Sequence, residues 1–193
     1  MSFAASASIE QTTNFWHPHR SVPVIGLIAP VAFADTTPPT ITVESQLAEC
    51  RNPSTSIQIP LIPIIKKNLI NTNSITIDSK SGYSGAGKNF EKKFTHKNLY
   101  SSTFAYNTKN HRHVCEIDQE FFLKTKRKVK FTFNPHLLPT FRGILSSIYI
   151  NVEKGKSANV IRNELLKYYK NSKFIKILKL NSQIGTGNVL NTN

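Results

Sequence analysis

Arg127-Lys-Val-Lys-Phe-Thr-Phe-Asn-Pro-His-Leu-Leu-Pro-Thr-Phe-Arg-Gly-Ile-Leu-Ser-Ser-Ile-Tyr-Ile-Asn-Val152 holds two strand patterns with no helix between them. In its first part Val129, Phe131 and Phe133 lie on one side of a residue-by-residue alternation, the period of a half-buried strand. Asn134-Pro135 ends that run, residues 136–142 form a loop, and a second strand reads over 143–152. Working outward, the spacing predicts helices over 55–69, 111–123 and 157–169, with further strands over 74–78, 103–106 and 174–180. Strands and helices that do not alternate strictly point to an α+β fold, with helices packed on a mostly antiparallel mixed sheet.

The helix over 55–69 opens at Thr55 or Ser56, whose hydroxyls suit an N-cap, and carries Ile57, Leu61, Ile64, Ile65 and Leu69 on one face. Pro60 and Pro63 are expected to distort its early turns, because proline has no N–H to give to the preceding turn. Ser157 is expected to cap the helix over 157–169. The strand at 74–78 runs into Asp78-Ser-Lys-Ser-Gly-Tyr-Ser-Gly-Ala-Gly-Lys88. Gly82, four residues and Gly87-Lys88 match the spacing of a nucleotide-binding P-loop, except that Asn89 stands where a magnesium-holding Ser or Thr is needed. The loop still offers flexible backbone, N–H donors and a cation, a set suited to a phosphate or acyl phosphate.

The chain has 193 residues, 39% of them hydrophobic, enough for one domain with a core. Lys and Arg number 25 against 11 acidic residues, a formal charge of +14. Apart from Arg20 and Arg51 they run from Lys66 to Lys179 without interleaved aromatics or a reader motif, so they are read as solvated faces and no nucleic-acid partner is expected. No basic helix pairs its charges with an aromatic apolar face, so no membrane partner is expected either. Cys50 and Cys115, far apart, suit a reducing cytoplasm rather than a disulfide scaffold. Residues 1–51 are rich in Ser, Ala, Thr and Pro and hold no lysine; they are read as a low-order leader, with the folded unit over 52–193. The apolar run over 22–34 ends in Ala32-Phe-Ala34 as a secretory signal would, but it starts late and contains Pro23 and Pro30, so it is not read as one.

Two further stretches concentrate polar chemistry. His111-Arg-His-Val-Cys-Glu116 opens a helix on which His111 and Cys115 share a face by spacing. Two such ligands do not make a tetrahedral zinc site, and no metal is expected. The Pro-rich loop over 136–142, held between strands, presents His136 and Arg142.

Taken in order, Thr55-Ser-Ile-Gln-Ile-Pro-Leu61, the glycine stretch 78–88, His111-Arg-His113, Glu116-Ile-Asp-Gln119 and Asn134-Pro-His-Leu-Leu-Pro-Thr-Phe-Arg-Gly-Ile-Leu145 resemble N-acetyl-gamma-glutamyl-phosphate reductase. That family is related in fold to aspartate-semialdehyde dehydrogenase, and the likeness covers 52–193. It implies the α+β substrate and dimerisation domain of an arginine-biosynthesis enzyme, truncated at both ends. The enzyme reduces an acyl phosphate with NADPH through a cysteine thioester. The resemblance makes one of His111 and His113 the acid–base group, and Arg112 and Arg142 holders of carboxylate or phosphate. Ser81, Gly82, Ser84 and Gly85 become substrate contacts. It further implies a homo-oligomer, or a complementing reductase chain as partner.

The sequence also departs from the family. The family's nucleophile lies in a stretch like Asn-Pro-Gly-Cys-aromatic-Pro-Thr, whereas this chain reads Asn52-Pro-Ser-Thr55, and Cys50 is on the wrong side of Asn52-Pro53. Cys115 is read as packing. No strand followed by a dinucleotide glycine turn precedes residue 52, so NADPH rests on the resemblance alone, without a binding motif here. The chain is therefore expected to be inactive alone; the alternative is a non-catalytic binding or oligomerisation module derived from the enzyme.

Overall fold

Ile75 and Ile77 are buried while Thr76 and Asp78 are half-buried, so the strand that carries them presents one face to a core and the other outward. That alternation sets up the whole architecture. The computed structural model describes residues 40–47, 53–86, 101–109 and 111–189. In chain order these form β1 (Thr40–Leu47), α1 (Pro53–Lys66), β2 (Ile70–Gly82), β3 (Phe104–Ala105), α2 (His113–Thr125), β4 (Phe131–Leu138), β5 (Ile144–Val152) and α3 (Ala158–Tyr168). Single 3₁₀ turns occupy Tyr83–Ala86 and Thr186–Val189.

The strands form one sheet in the order β1-β5-β2-β4-β3. Only β2 and β4 run parallel; the other neighbours are antiparallel. The α+β class and the mostly antiparallel sheet are therefore as the sequence implied. Thr40–Leu47, which falls within the stretch read as leader, is in register with β5 along its whole length. The remaining leader residues, with the signal-like run, Cys50 and the Gly87-Lys88-Asn89 end of the glycine stretch, lie outside the described residues.

On the covered face Ile75, Ile77, Phe133, Ile148 and Ile150 meet Ile57, Leu61, Ile64 and Ile65 of α1 and Ile117 and Phe121 of α2. Phe121 stands edge-on to Phe131 at 5.9 Å. Ile161 and Leu165 bring α3 onto α1. On the open face Asn134 donates to Asp78 (3.0 Å) and Lys80 reaches Ser147 (3.5 Å).

α1 tolerates two prolines. Pro63 cannot donate to the Ile59 carbonyl one turn earlier, and that carbonyl instead accepts the Tyr169 hydroxyl at 2.7 Å. Burial, with the neighbouring Tyr168, pushes the Tyr169 phenol up, keeping it a donor. The helix stops at Asn68, which adopts a left-handed φ of 54° while Leu69 N–H closes back to the Ile64 carbonyl (3.0 Å).

Several boundaries differ from the sequence reading. The strand expected at 74–78 extends over Ile70–Gly82, with an irregularity in its pairing to β5 between Ile70 and Ile75, so Asp78 to Gly82 are strand rather than loop. The strand expected at 127–133 is displaced to Phe131–Leu138, and Asn134-Pro135 does not end it. The Pro135 carbonyl accepts Tyr106 N–H (3.1 Å) on the side away from β2, so the missing proline N–H interrupts no bond to β2. The helix expected from 111 begins at His113. Over 174–180 no strand element forms; Arg162 Nε holds the Leu178 carbonyl (2.9 Å) while Ile175, Ile177 and Leu180 pack on the core. Ser157 occupies the N-cap of α3 in extended conformation without a side-chain bond; its carbonyl, accepting Ile161 N–H at 3.1 Å, starts the helix.

Candidate functional site

His111 and His113 are both buried, at the start of α2. His111 lies edge-on to Phe133 (5.1 Å) and Tyr106 (5.5 Å), and its ring is 4.7 Å from that of His113. Its Nδ1 accepts the His113 backbone N–H at 3.3 Å, doing at the helix start what an N-cap oxygen usually does. A ring that accepts at Nδ1 is neutral with its proton on Nε2. Burial, then the neighbouring His113 and Arg112, lower the His111 pKa from 6.5 to about 4.

His113 receives the Arg112 Nε–H on its Nε2 at 3.3 Å, which puts the ring proton on Nδ1. That Nδ1 is buried and has no hydrogen-bond partner among the described residues. Burial and Arg112 also lower the His113 pKa, and Glu116 opposes them. The histidines thus divide: His111 is held by packing and helix capping, while His113 keeps a spare donor. Glu116, in the first turn of α2, accepts the Ser54 hydroxyl at 2.9 Å and ties the start of α1 to the start of α2. His111 and Cys115 do not share a face, since His111 is buried and Cys115 exposed.

A pH dependence follows from the neutral pair. The unfolded chain binds protons at an ordinary histidine pKa, the folded chain only at the lowered values, so acid favours unfolding. The histidine contribution is complete above about pH 6.5 and is lost as pH falls toward 4, by about 2 kcal/mol for His111 once partial solvation of its ring is allowed for. Urea midpoints measured across that window should fall with acidity. In His111→Asn, whose amide oxygen can still accept the His113 N–H, the slope should be reduced.

The second group of predicted residues stands at the far end of β2. Ser81 is buried on the covered face. Gly82, Tyr83 and Ser84 N–H groups donate to the carbonyls of Gly143 (2.8 Å), Thr140 (2.9 Å) and Phe141 (3.0 Å). The amides expected to be free for a phosphate are therefore spent in a clamp that joins β2 to the β4–β5 turn. Gly85 follows in the 3₁₀ turn. Arg142 is exposed, with its guanidinium 5.3 Å from the Phe141 ring, and Phe141 packs against Tyr83 at 5.4 Å. On the other side of the turn Gly143, at φ 100°, leaves room for Thr186, whose Cβ would lie 3.0 Å from any Cβ at 143. A cleft of about 300 Å³ lined by Gln183, Ile184, Gly185 and Gly187 lies in that C-terminal segment.

Between the two groups lies a feature the sequence reading missed. Ser56, Ser79 and Ser146 are fully buried, and Ser146 Oγ sits 2.6 Å from Ser56 Oγ and 2.9 Å from Ser79 Oγ. Ser56 donates to the Pro53 carbonyl at 2.7 Å, so it must accept from Ser146, and Ser146 in turn from Ser79. This one-way row of hydroxyls fixes the first turn of α1 over the middle of the sheet. Its signal was present in the sequence: Ser79 is in phase with inward Ile75 and Ile77, and Ser146 with Ile144 and Ile148. A serine in an inward phase needs a partner.

The family described as semialdehyde dehydrogenase, dimerisation domain, matches residues 53–193. N-acetyl-gamma-glutamyl-phosphate reductase of Ehrlichia ruminantium (strain Gardel) is 40% identical over 141 residues, covering 72% of this chain and 40% of the relative. The protein of the same name from Thermoanaerobacter pseudethanolicus is 39% identical over 139 residues, with the same coverage of 72% and 40%. That from Afipia carboxidovorans is 38% identical over 125 residues, 65% of this chain and 36% of the relative. The chain thus spans about 40% of the length of the curated relatives it matches.

Proposed function

The chain belongs to the semialdehyde dehydrogenase dimerisation-domain family, and from that premise we propose that it is the substrate-binding and subunit-contact portion of an N-acetyl-gamma-glutamyl-phosphate reductase. The observation that carries the reading is the 2.9 Å bond from Ser54 to Glu116. It brings the stretch where the family's nucleophile belongs against the helix turn that bears the histidine pair. Arg112 and Arg142 supply cations for the carboxylate or phosphate of an acyl-phosphate substrate, and the histidine pair supplies proton transfer.

Two components of that reaction have no fit in the described residues. The thiol among them is Cys115, exposed on α2. NADPH meets no cradle: the segment joining β1 to α1 contains no glycine, and the Gly82, Tyr83 and Ser84 amides are already bonded. The described residues act in this reading as a binding and oligomerisation module, with thiol and hydride donor supplied from outside them. The partner is a second copy or a complementing reductase chain, and the setting is the cytoplasm. Among the described residues no helix is long and apolar enough to cross a membrane.

The test joins calorimetric titration with a phosphonate analogue of the acyl phosphate to analytical ultracentrifugation of the full chain. Saturable binding that Arg112→Ala weakens about tenfold, with concentration-dependent dimer formation and no NADPH oxidation, is expected. A monomer that gives no heat with the analogue sinks the reading.

A further inference from the structure

Some of the basic residues that look scattered along the chain gather in space. α1 and α2 end, β2 and β4 begin and β5 ends at one end of the sheet, opposite the Gly82 clamp. Lys130 N–H donates to the Thr72 carbonyl (2.8 Å) and Glu153 N–H to the Leu69 carbonyl (3.0 Å), which draws the connecting segments together there. With β2 between them, the β5 and β4 ends are about 10 Å apart. Lys126, Arg127, Lys128, Lys130, Lys154 and Lys156 thus share one pole, all exposed and none in an ion pair among the described residues.

Part of the charge at this end serves the fold. Lys66 and Lys124 lie in the last turns of α1 and α2, where cations complement the helix dipole, and Lys67 approaches Glu164 at 3.9 Å. Lys126, the C-cap of α2, shares that account, and the five other cations do not. Lys154 and Lys156 precede the N-terminus of α3, the end at which a cation is unfavourable, and no acid stands in its first turn. Lys126 takes a left-handed φ of 58°, where glycine or asparagine is the ordinary choice. Repulsion within the cluster opposes folding, and an external polyanion would relieve it.

We propose that this pole binds nucleic acid through its phosphates, as a surface separate from the histidine and glycine-clamp residues. Phe122, 56% exposed in the last turn of α2 beside the cations, offers a ring on which a base can stack. Phe122 and Leu123 are the large apolar side chains exposed on α2, too small a face for burial in a lipid interface, so a single-stranded nucleic acid fits better than a membrane.

Fluorescence anisotropy of a labelled oligouridylate with the full chain tests this. Binding should weaken about 50-fold between roughly 50 and 200 mM salt, as expected for about four phosphate contacts. The combined Lys126→Glu, Arg127→Glu, Lys128→Glu variant should lose about 30-fold or more in affinity at low salt, while Lys170→Glu, Lys173→Glu, Lys176→Glu, with the same change in net charge, should lose less than about threefold. Circular dichroism establishes that both variants are folded. Equal losses in the two variants would reduce the effect to overall charge and overturn the proposal. So would no binding at low salt, or binding to phosphatidylserine vesicles without binding to the oligonucleotide. None of these outcomes bears on the reductase reading, which rests on other residues.

Discussion

Gly82→Ala should destabilise the protein by about 3 kcal/mol, a fall in melting temperature of roughly 8 °C. A Cβ at this position would lie 2.8 Å from the carbonyl oxygens of Phe141 and Thr140 and 2.9 Å from the Arg142 Cα. All three are main-chain atoms, so no side chain can swing aside. Room can be made only by separating β2 from the 140–143 turn, and that breaks the bonds from the Gly82, Tyr83 and Ser84 amides. The glycine is required for close approach of two backbones rather than for an unusual φ. Thermal melts measure the loss, and limited proteolysis should show the 139–142 turn newly accessible. An alanine variant melting within about 2 °C of the parent would show that the clamp is looser than its distances imply.

Ser146→Val should cost a similar amount, about 3 kcal/mol, for a different reason. Ser146 is the middle of the three hydroxyls, accepting from Ser79 and donating to Ser56. Valine removes the acceptor for a fully buried Ser79 O–H and adds a methyl group where oxygen atoms stand 2.6 and 2.9 Å away. Ser146→Ala leaves Ser79 equally short of an acceptor but adds no bulk, and should cost about 2 kcal/mol. Urea unfolding of the pair separates the two contributions. If alanine proves as harmful as valine, crowding is irrelevant and the hydrogen-bond row accounts for the whole loss; if alanine is neutral, the row does not stabilise the fold.

Much of the architecture was legible because burial imposes a period. The Ile144–Val152 strand and the apolar stripe of α1 were readable from Ile57, Leu61, Ile64, Ile148 and Ile150, whose spacing leaves little choice of face. The errors came where local chemistry and tertiary pairing disagree. Proline after Phe133 reads as a stop, yet β4 continues because Pro135 turns its missing donor away from β2. Phe174 to Leu180 alternates like a strand, but among the described residues it forms only an isolated bridge at Ile177, and Arg162 holds its Leu178 carbonyl. The glycine stretch showed spacing and composition, but could not show that the Gly82, Tyr83 and Ser84 amides are taken by carbonyls about sixty residues later in the chain. The histidine motif was visible; the Ser54–Glu116 tie was not, because two polar residues far apart in sequence carry no sign of contact.

The strand order has a consequence for how the chain reaches this state. β2, at the centre of the sheet, pairs with β4 and β5 and, among the described residues, with no strand made before it. On a ribosome delivering about 5–20 residues per second, Ile75 and Ile77 emerge seconds before their strand partners. Contacts so distant in sequence place such a sheet among slow folders, in the millisecond-to-second range, with an apolar strand edge unprotected meanwhile. The polar residues Asn71, Thr72, Asn73 and Ser74 at the start of β2 lower the chance that this waiting edge recruits another chain.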